Sequence, residues 1–155
     1  MKKNTKKISI LLFLFLSTAS YAEEKPIVPD RNMTYGAVDI NGTVDKICTP
    51  GYSKSVRKVT VRTRGKVYAE YKVDPLRDYY EVDHLVSLEL GGSNDIKNLW
   101  PQSYSIYPWN ARLKDRLENR LHKLVCEGKL DLPTAQFEIA TNWIQAYLKY
   151  IGNPL

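Results

Sequence analysis

Cysteine and histidine are scarce in this sequence, which has two residues of each type. The chain contains no Cys-x-x-Cys pair, so a thioredoxin-like redox motif or a zinc site built on such pairs is not indicated. Cys48 and Cys126 are then predicted to form one disulfide, with a metal-binding or redox pair as the alternative. In the loop-entropy model, closing so long a loop stabilises the fold by roughly 4–5 kcal/mol.

The sequence also lacks a second long hydrophobic run. The single run, ISILLFLFLSTA (Ile8–Ala19), follows the basic segment MKKNTKK and precedes Ser20-Tyr21-Ala22, a small-x-small pattern. This order of regions is typical of a secretory signal peptide rather than a membrane span. We therefore expect cleavage after Ala22 and export to the periplasm or the medium, with no membrane anchor left. Export is also the setting in which a disulfide is expected.

A strong charge of one sign is absent once the signal is removed. The formal net charge of +6 includes four lysines that precede residue 23. Without them, 19 of the 23 Lys and Arg residues remain, and the 17 Asp and Glu residues bring the net charge to +2. The basic isoelectric point is therefore poor evidence for a nucleic-acid partner. A local cluster is more informative, and two interpretations stay open for it, a solvated surface or a phosphate-binding patch: Lys54, Arg57, Lys58, Arg62, Arg64 and Lys66.

The patterns of hydrophobic and turn residues predict a small α+β domain at residues 46–155, after a signal at 1–22 and a flexible lead at 23–45. Alternation, apolar stripes and Gly or Pro boundaries mark the elements. They predict a strand (Val56–Thr63), a short helix (Gly65–Val73), a strand (Tyr79–Leu90), a return strand cut short at Pro101 (Asn98–Gln102) and two helices (Asn110–Glu127 and Pro133–Lys149).

The dipeptide Asp83-His84 is the first candidate for chemistry. A carboxylate is a good ligand for a hard cation, and an imidazole is the best side-chain base near neutral pH. Metal-assisted hydrolysis of a phosphodiester needs both functions. Adjacent residues of a regular strand point to opposite faces, so the two side chains share a site only if the strand is distorted. The alternative is a hairpin with a structural histidine.

The residues around this dipeptide resemble the His-Asn-His (ββα-metal) endonuclease family. The closest stretch is DHLVSLELGGSNDIKNLWPQ, which is similar to what exported members of the family carry. The resemblance extends to most of the mature chain through ICTPGY (Ile47–Tyr52) with the nearby Arg57, KDRLENRLHKLVCEGKLDLPTAQ (Lys114–Gln136) and NWIQAY (Asn142–Tyr147). It implies a ββα-metal core, made of a hairpin followed by a helix, with a strand and helix upstream and a C-terminal helix.

The resemblance implies a role for each matching residue. Asp83 would be a metal ligand, and His84 the general base that activates water. Asn98 would hold the loop between the two strands and help to orient His84. The third position of the motif, often His, lies on the following helix, where this sequence has Asn110. A neutral oxygen ligand favours Mg²⁺, with Mn²⁺ as an alternative, over Zn²⁺.

Several assignments have alternatives. Asp115 and Glu118 compete with Asn110 as the third metal ligand, and Asn110 also suits the N-cap of its helix. Arg57 and Lys114 are candidates for phosphate contacts, but Lys114 has the spacing for an i,i+4 pair with Glu118. The remaining histidine, His122, lies near a helix C-terminus, where a packed or dipole-stabilised residue is typical.

The predicted function is that of an exported, metal-dependent endonuclease. Its substrate would be nucleic acid, with DNA favoured over RNA, and its sequence specificity would be low because the chain is too small for a separate base-reading module. The alternative is an exported nucleic-acid-binding or protein-binding module that is not catalytic and uses the same scaffold. An effector or toxin would share the chemistry and differ in biological role.

Overall fold

A computed structural model describes residues 28–76 and 79–154. The predicted signal peptide, residues 1–22, lies outside these ranges. The described part of the chain forms a mixed α+β domain, as predicted, with five α-helices and one two-stranded antiparallel sheet. In chain order the elements are α1 (Val44–Ile47), α2 (Tyr52–Val56), α3 (Val61–Glu70), β1 (Tyr80–His84), β2 (Leu99–Ser103), α4 (Ala111–Cys126) and α5 (Leu132–Tyr150). No helix within the described ranges has the length and apolar character needed to cross a membrane.

The hairpin of β1 and β2 positions the candidate site. Asp83 pairs with Trp100 and His84 with Leu99 in the antiparallel register. The first strand is shorter than predicted, because the chain leaves the sheet after His84 and forms a 3-10 turn at Leu88–Leu90. Pro101 does not end the return strand but lies inside β2, where the edge of a two-stranded sheet tolerates a proline.

The strand predicted at Val56–Thr63 is wrong. Thr60 is instead the N-cap of α3, and its hydroxyl oxygen accepts a hydrogen bond from the backbone N–H of Thr63 at 3.1 Å. Val61, one of the alternating apolar residues of that segment, is 83% exposed. The short helix predicted at Gly65–Val73 exists, but it begins earlier, at Val61, and ends at Glu70.

The core lies between α4, α5 and the hairpin loop. Most residues of the apolar stripes predicted for the two helices are buried, and Leu113 and Tyr150 are half-buried, which confirms the orientation of both helices. Asn142 has non-helical backbone angles inside α5, so this helix is bent at its middle. The core is made up of Ile47, Val86, Leu90, Leu117, Leu121, Val125, Leu132, Ala135, Ile139, Trp143, Ala146 and Tyr147.

The predicted disulfide is present and joins Cys48 to Cys126, with a Cα–Cα distance of 5.7 Å. Cys48 is the C-cap of α1, and Cys126 is the last residue of α4. The bond spans 78 residues of sequence and ties the segment before the hairpin to the helix after it.

The prediction of a flexible lead at residues 23–45 does not describe the part of it from Val28 onward. Thr34 is 1% exposed and donates its hydroxyl to the backbone carbonyl of Leu99 at 2.8 Å. The backbone N–H of Asp39 donates to Gly91 O at 2.8 Å, and Val38 forms a β-bridge with Gly92. Backbone hydrogen bonds, which polarity and prolines do not reveal, hold this segment against the hairpin loop.

Candidate active site

Asn98 holds the loop that joins the two strands, as predicted. Its side chain is completely buried, and its carbonyl oxygen accepts from Val86 N at 2.8 Å. Its amide nitrogen donates to Val86 O at 2.9 Å and to Ser93 O at 2.8 Å. All three bonds go to the backbone of the loop, so Asn98 fixes the path of the chain immediately after His84.

Two glycines let this loop close tightly. A Cβ atom on Gly92 would lie 1.8 Å from Val86 O, a distance that no side chain can occupy. Gly91 has a φ of 73°, and a Cβ there would lie 2.8 Å from Gly42 O. The Gly91-Gly92 pair is therefore required by close backbone approach as well as by the turn.

The imidazole of His84 is buried and hydrogen-bonded to a residue that the sequence did not single out. His84 is 2% exposed, and its Nε2 lies 3.3 Å from Asn94 Oδ1. Asn94 Oδ1 also accepts from Lys58 N at 2.9 Å, while its amide nitrogen donates to Val56 O at 2.8 Å. Because Asn94 offers an oxygen, His84 Nε2 is the protonated nitrogen and Nδ1 carries the lone pair.

Asn94 therefore has the orienting role that was expected of Asn98. The side chain of Asn98 bonds to backbone atoms and not to the imidazole, so its effect on His84 is indirect. In the sequence, Asn94 belongs to a Gly-Gly-Ser-Asn cluster, where an asparagine is an ordinary turn residue. No feature of the pattern distinguishes it from one.

Burial lowers the pKa of His84 to about 4. The Asp83 carboxylate and the Asn94 hydrogen bond act in the opposite direction, whereas the positive charges of Arg57 and Lys114 lower the pKa further. The imidazole is therefore neutral at physiological pH, which is the state in which it accepts a proton.

Asp83 lies on the other face of the hairpin, where it contacts α4. Lys114 Nζ donates to Asp83 Oδ2 at 2.6 Å, to the backbone oxygen of His84 at 2.7 Å and to Glu118 Oε1. Lys114 is completely buried, and these three acceptors use all three of its N–H donors. Lys114 therefore has no N–H donor left for a phosphate in this structure, and the alternative pairing with Glu118 is present.

The three charged groups of this network influence one another's pKa. Burial alone would lower the pKa of Lys114, but the carboxylates of Asp83 and Glu118 outweigh it and raise the pKa. Burial raises the pKa of the Glu118 carboxyl, and the charge of Asp83 adds to the effect, against the opposing charge of Lys114. One ammonium between two carboxylates leaves a surplus negative charge, so Glu118 binds a proton more readily than an ordinary glutamate does.

Asp115 and Arg57 lie close enough to the dipeptide to interact with it electrostatically. Partial burial raises the pKa of Asp115, and the negative charges of Asp83 and Glu89 raise it further. Arg57 opposes this effect, and its charge also acts on His84. Glu89 carries a buried carboxylate oxygen, Oε2, that has no hydrogen-bond partner. Asp115 thus interacts electrostatically with Asp83 and Glu89, and Arg57 interacts with both Asp115 and His84.

Asn110 is the N-cap of α4, the alternative that the sequence left open. Its Oδ1 accepts a hydrogen bond from Leu113 N at 3.3 Å. This carbonyl oxygen is the atom that a metal ion would need, so its ligand role stays a prediction.

The second histidine contributes to a different cluster. Within the described ranges, Cys48, His122 and Cys126 form the single group of three His, Cys, Asp or Glu side chains whose ligand atoms lie within 4.8 Å of one another. The two cysteines are bonded to each other, so they offer no thiolate in this structure. His122 Nε2 lies 3.0 Å from Ile47 O and 3.4 Å from Cys126 Sγ, which agrees with a packed residue beside the disulfide.

Comparisons with protein-family models, with curated proteins and with solved structures find no match for this chain. The resemblance to the His-Asn-His family therefore stays a prediction that rests on the residues.

Proposed function

We propose that the protein is an exported endonuclease that hydrolyses phosphodiester bonds in DNA, with His84 as the general base and a divalent cation as cofactor. The observation that carries the proposal is the state of His84. Its imidazole is neutral, Asn94 holds its Nε2, and it lies within electrostatic reach of Asp83 and Arg57. A fixed neutral imidazole beside a carboxylate and a guanidinium suits water activation next to an anionic substrate.

The hydrogen bond of the ring determines which of its nitrogens can accept a proton. Nε2–H donates to Asn94 Oδ1, so Nδ1 is the nitrogen that takes the proton from the attacking water. The resulting imidazolium would be stabilised by the nearby charge of Asp83, which already raises the pKa of His84 against the effect of burial. The hydrogen bond from Lys114 Nζ to the backbone oxygen of His84 fixes the end of the strand that carries the ring.

Arg57 is the group that we assign to the substrate phosphate. It is exposed, and its charge reaches both His84 and Asp115. A guanidinium presents paired N–H donors that match two phosphate oxygens. A phosphate bound there would meet a positive charge that already acts on His84, and Arg57 would offset the negative charge of Asp115.

The carboxylates that interact around Asp115 are of the kind that a hard cation takes as ligands. They are Asp83, Asp115 and Glu89, whose buried Oε2 has no hydrogen-bond partner, and in this structure their ligand oxygens do not all lie within 4.8 Å of one another. Mg²⁺ prefers oxygen ligands and is commonly held by one or two carboxylates together with substrate phosphates, so a preformed cage is not required. When bound, the ion supplies Lewis-acid stabilisation of charge on the phosphoryl and leaving oxygens. Mn²⁺ fits the same set, and Zn²⁺ fits it less well.

Nicking of supercoiled plasmid by the disulfide-bonded protein tests the proposal, with Mg²⁺, Mn²⁺, Ca²⁺ and Zn²⁺ compared in parallel. We expect cleavage with Mg²⁺ or Mn²⁺ at scattered positions, and a rate about 10²–10⁴-fold lower for His84→Ala. Asp115→Asn is expected to need more Mg²⁺ for half-maximal rate, while Lys123→Ala, on the exposed face of α4, keeps the wild-type rate. Equal rates for His84→Ala and the wild type would refute the mechanism.

The ion pair between Lys114 and Asp83 favours a second candidate function, a binding module that is not catalytic. In this structure the ammonium neutralises the carboxylate that a cation would otherwise approach, and like charges at one carboxylate repel. This alternative would be supported if the protein binds DNA but does not cleave it in the presence of any of the four metal ions.

A further inference from the structure

A pocket of about 330 Å³ lies between α3 and the hairpin. Four tyrosines and two arginines contribute to its lining, among them Tyr68, Tyr79 and Tyr104 with Arg57 and Arg64. The volume is at the lower end of the range of about 300–1,000 Å³ that is typical of small-ligand sites. Tyrosine rings and guanidinium groups in one pocket combine stacking surfaces with anion contacts.

The pocket adjoins the candidate active site through Arg57. This residue lines the pocket, and its charge also lowers the pKa of His84. The pocket further includes Tyr80, Glu81 and Val82 of β1, the strand that ends at His84. A ligand that fills the pocket therefore contacts Arg57 and the strand that carries His84 at its end.

The tyrosines form a supported stacking surface. The rings of Tyr79 and Tyr104 have centroids 4.9 Å apart. Tyr104 is fixed from two sides, because its hydroxyl donates to Glu81 Oε2 at 2.6 Å and the guanidinium of Arg112 lies 5.5 Å from its ring centroid. Tyr79 is 68% exposed and so offers its ring to a ligand.

The basic cluster of the sequence supplies the anion contacts. Arg57 and Arg64 reach the pocket itself, and both are exposed. The lining also includes the acidic Glu81, whose Oε2 is occupied by the hydrogen bond from the hydroxyl of Tyr104. The pocket thus presents cations to a phosphate and aromatic faces to a base.

We propose that this pocket binds an unpaired nucleotide next to the scissile phosphodiester, which makes single-stranded nucleic acid the preferred substrate. The proposal rests on the proposed nuclease function and specifies its substrate. Stacking on Tyr79 requires an exposed base face, and in a duplex both faces of each base are covered by neighbouring base pairs. Arg57 and Arg64 bind the phosphates that flank this nucleotide, and Arg57 directs the strand towards His84.

Fluorescence anisotropy with the His84→Ala protein tests this site without cleavage. A labelled short oligodeoxynucleotide is titrated in EDTA at one fixed low salt concentration, single-stranded and as a duplex of the same sequence. We expect Tyr79→Ala to weaken single-strand binding about 5- to 100-fold and Tyr79→Phe, which keeps the ring, to preserve it within about 2-fold. Phe137→Ala is the matched control, because Phe137 on α5 is also 68% exposed.

The outcomes separate this inference from the nuclease proposal. Unchanged single-strand affinity in Tyr79→Ala, or an equal loss with the duplex, would overturn the pocket while plasmid nicking stays informative. Tyr79-dependent binding in a protein that never cleaves would support the pocket and refute the nuclease. Stronger binding of the duplex than of the single strand by the parent protein would also overturn the preference.

Discussion

The two faces of the β1–β2 hairpin carry neighbouring residues in opposite electrostatic states. On one face, His84 is neutral, and its ring is held by one hydrogen bond to Asn94. On the other face, Asp83 belongs to a closed network of charges with Lys114 and Glu118. Strand alternation produces this difference, because successive side chains point to opposite sides of the sheet.

The two faces of the hairpin are expected to have different roles, one in stability and one in activity. Lys114, at the centre of its network, is buried and uses all three N–H donors, so the network stabilises the position of the hairpin on α4. On the His84 face, exposed Arg57 acts on the imidazole, and under the proposed function this is the face where a substrate would bind. If the division holds, substitutions on the Lys114 face change stability first, and substitutions on the His84 face change activity first.

The largest effect is expected for Lys114→Met, which tests the closed face. Removing the ammonium leaves two buried carboxylates uncompensated, and we expect a loss of about 3–5 kcal/mol in the free energy of unfolding. Lys123→Met is the matched control, because Lys123 forms an i,i+4 pair with Glu127 on the same helix but is 66% exposed. Its loss should stay below about 1 kcal/mol. Urea denaturation measures both, and similar losses would show that the closed network is no stronger than a surface pair.

The second effect is a pH dependence of stability that comes from His84. Its pKa is about 4 in the folded protein and rises to its ordinary 6.5 on unfolding. The unfolded chain therefore binds the proton more tightly, and stability is lost as the pH falls from 6.5 to 4, by about 3 kcal/mol in total.

The difference between the wild type and His84→Asn isolates this contribution. Glu81 has a raised pKa and acts in the opposite direction between about pH 4.5 and 6, but it is present in both proteins. Unfolding free energies at pH 7 and pH 4 give the result. Parallel pH dependences in the two proteins would show that His84 titrates normally and that the imidazole is not desolvated.

Much of this arrangement followed from the sequence, because apolar stripes and turn residues report local structure directly. The apolar stripes predicted the helices α4 and α5, and the pair of cysteines predicted the disulfide. The strand predicted at Val56–Thr63 failed because the residues alternate over a short segment that is mostly exposed. Thr60 is the N-cap of a helix there, and its backbone is extended. From the sequence alone, a threonine at such a position cannot be distinguished from a threonine in a strand.

The tertiary contacts of the site could not be predicted in the same way. Lys114 and Glu118 have the spacing of an ordinary surface pair. Lys114 is instead buried and also bonded to Asp83, because the hairpin places Asp83 against α4. Asn94 is an ordinary turn residue until its Oδ1 meets both His84 and the Lys58 backbone. Both roles depend on contacts between distant parts of the chain, which spacing along one element does not encode.

A smaller effect is expected from Asn94, which tests whether the His84 face is organised for chemistry. Asn94→Leu removes the acceptor that fixes Nε2–H, and we expect cleavage to slow about 10- to 100-fold, as for other residues that orient a functional group. Asn94→Asp keeps an acceptor and adds a negative charge that raises the pKa of His84. Its activity should be largely restored, with the acid limb of the pH–rate profile shifted to higher pH. An unchanged profile in both variants would leave Asn94 with a loop-holding role only.

The smallest effect concerns Asn110, which separates capping from metal binding. Asn110→Ala should lower the free energy of unfolding by about 1 kcal/mol, whereas Asn110→Asp retains an N-cap oxygen and should be as stable as the wild type. If the metal ion is held by Asp115 and Asp83, both variants need the same Mg²⁺ concentration for half-maximal cleavage, and Asp115→Asn needs more. A larger change in that concentration for Asn110→Asp than for Asp115→Asn would make Asn110 the ligand. The active face would then extend to the start of α4, because the N-cap residue would also complete the metal site.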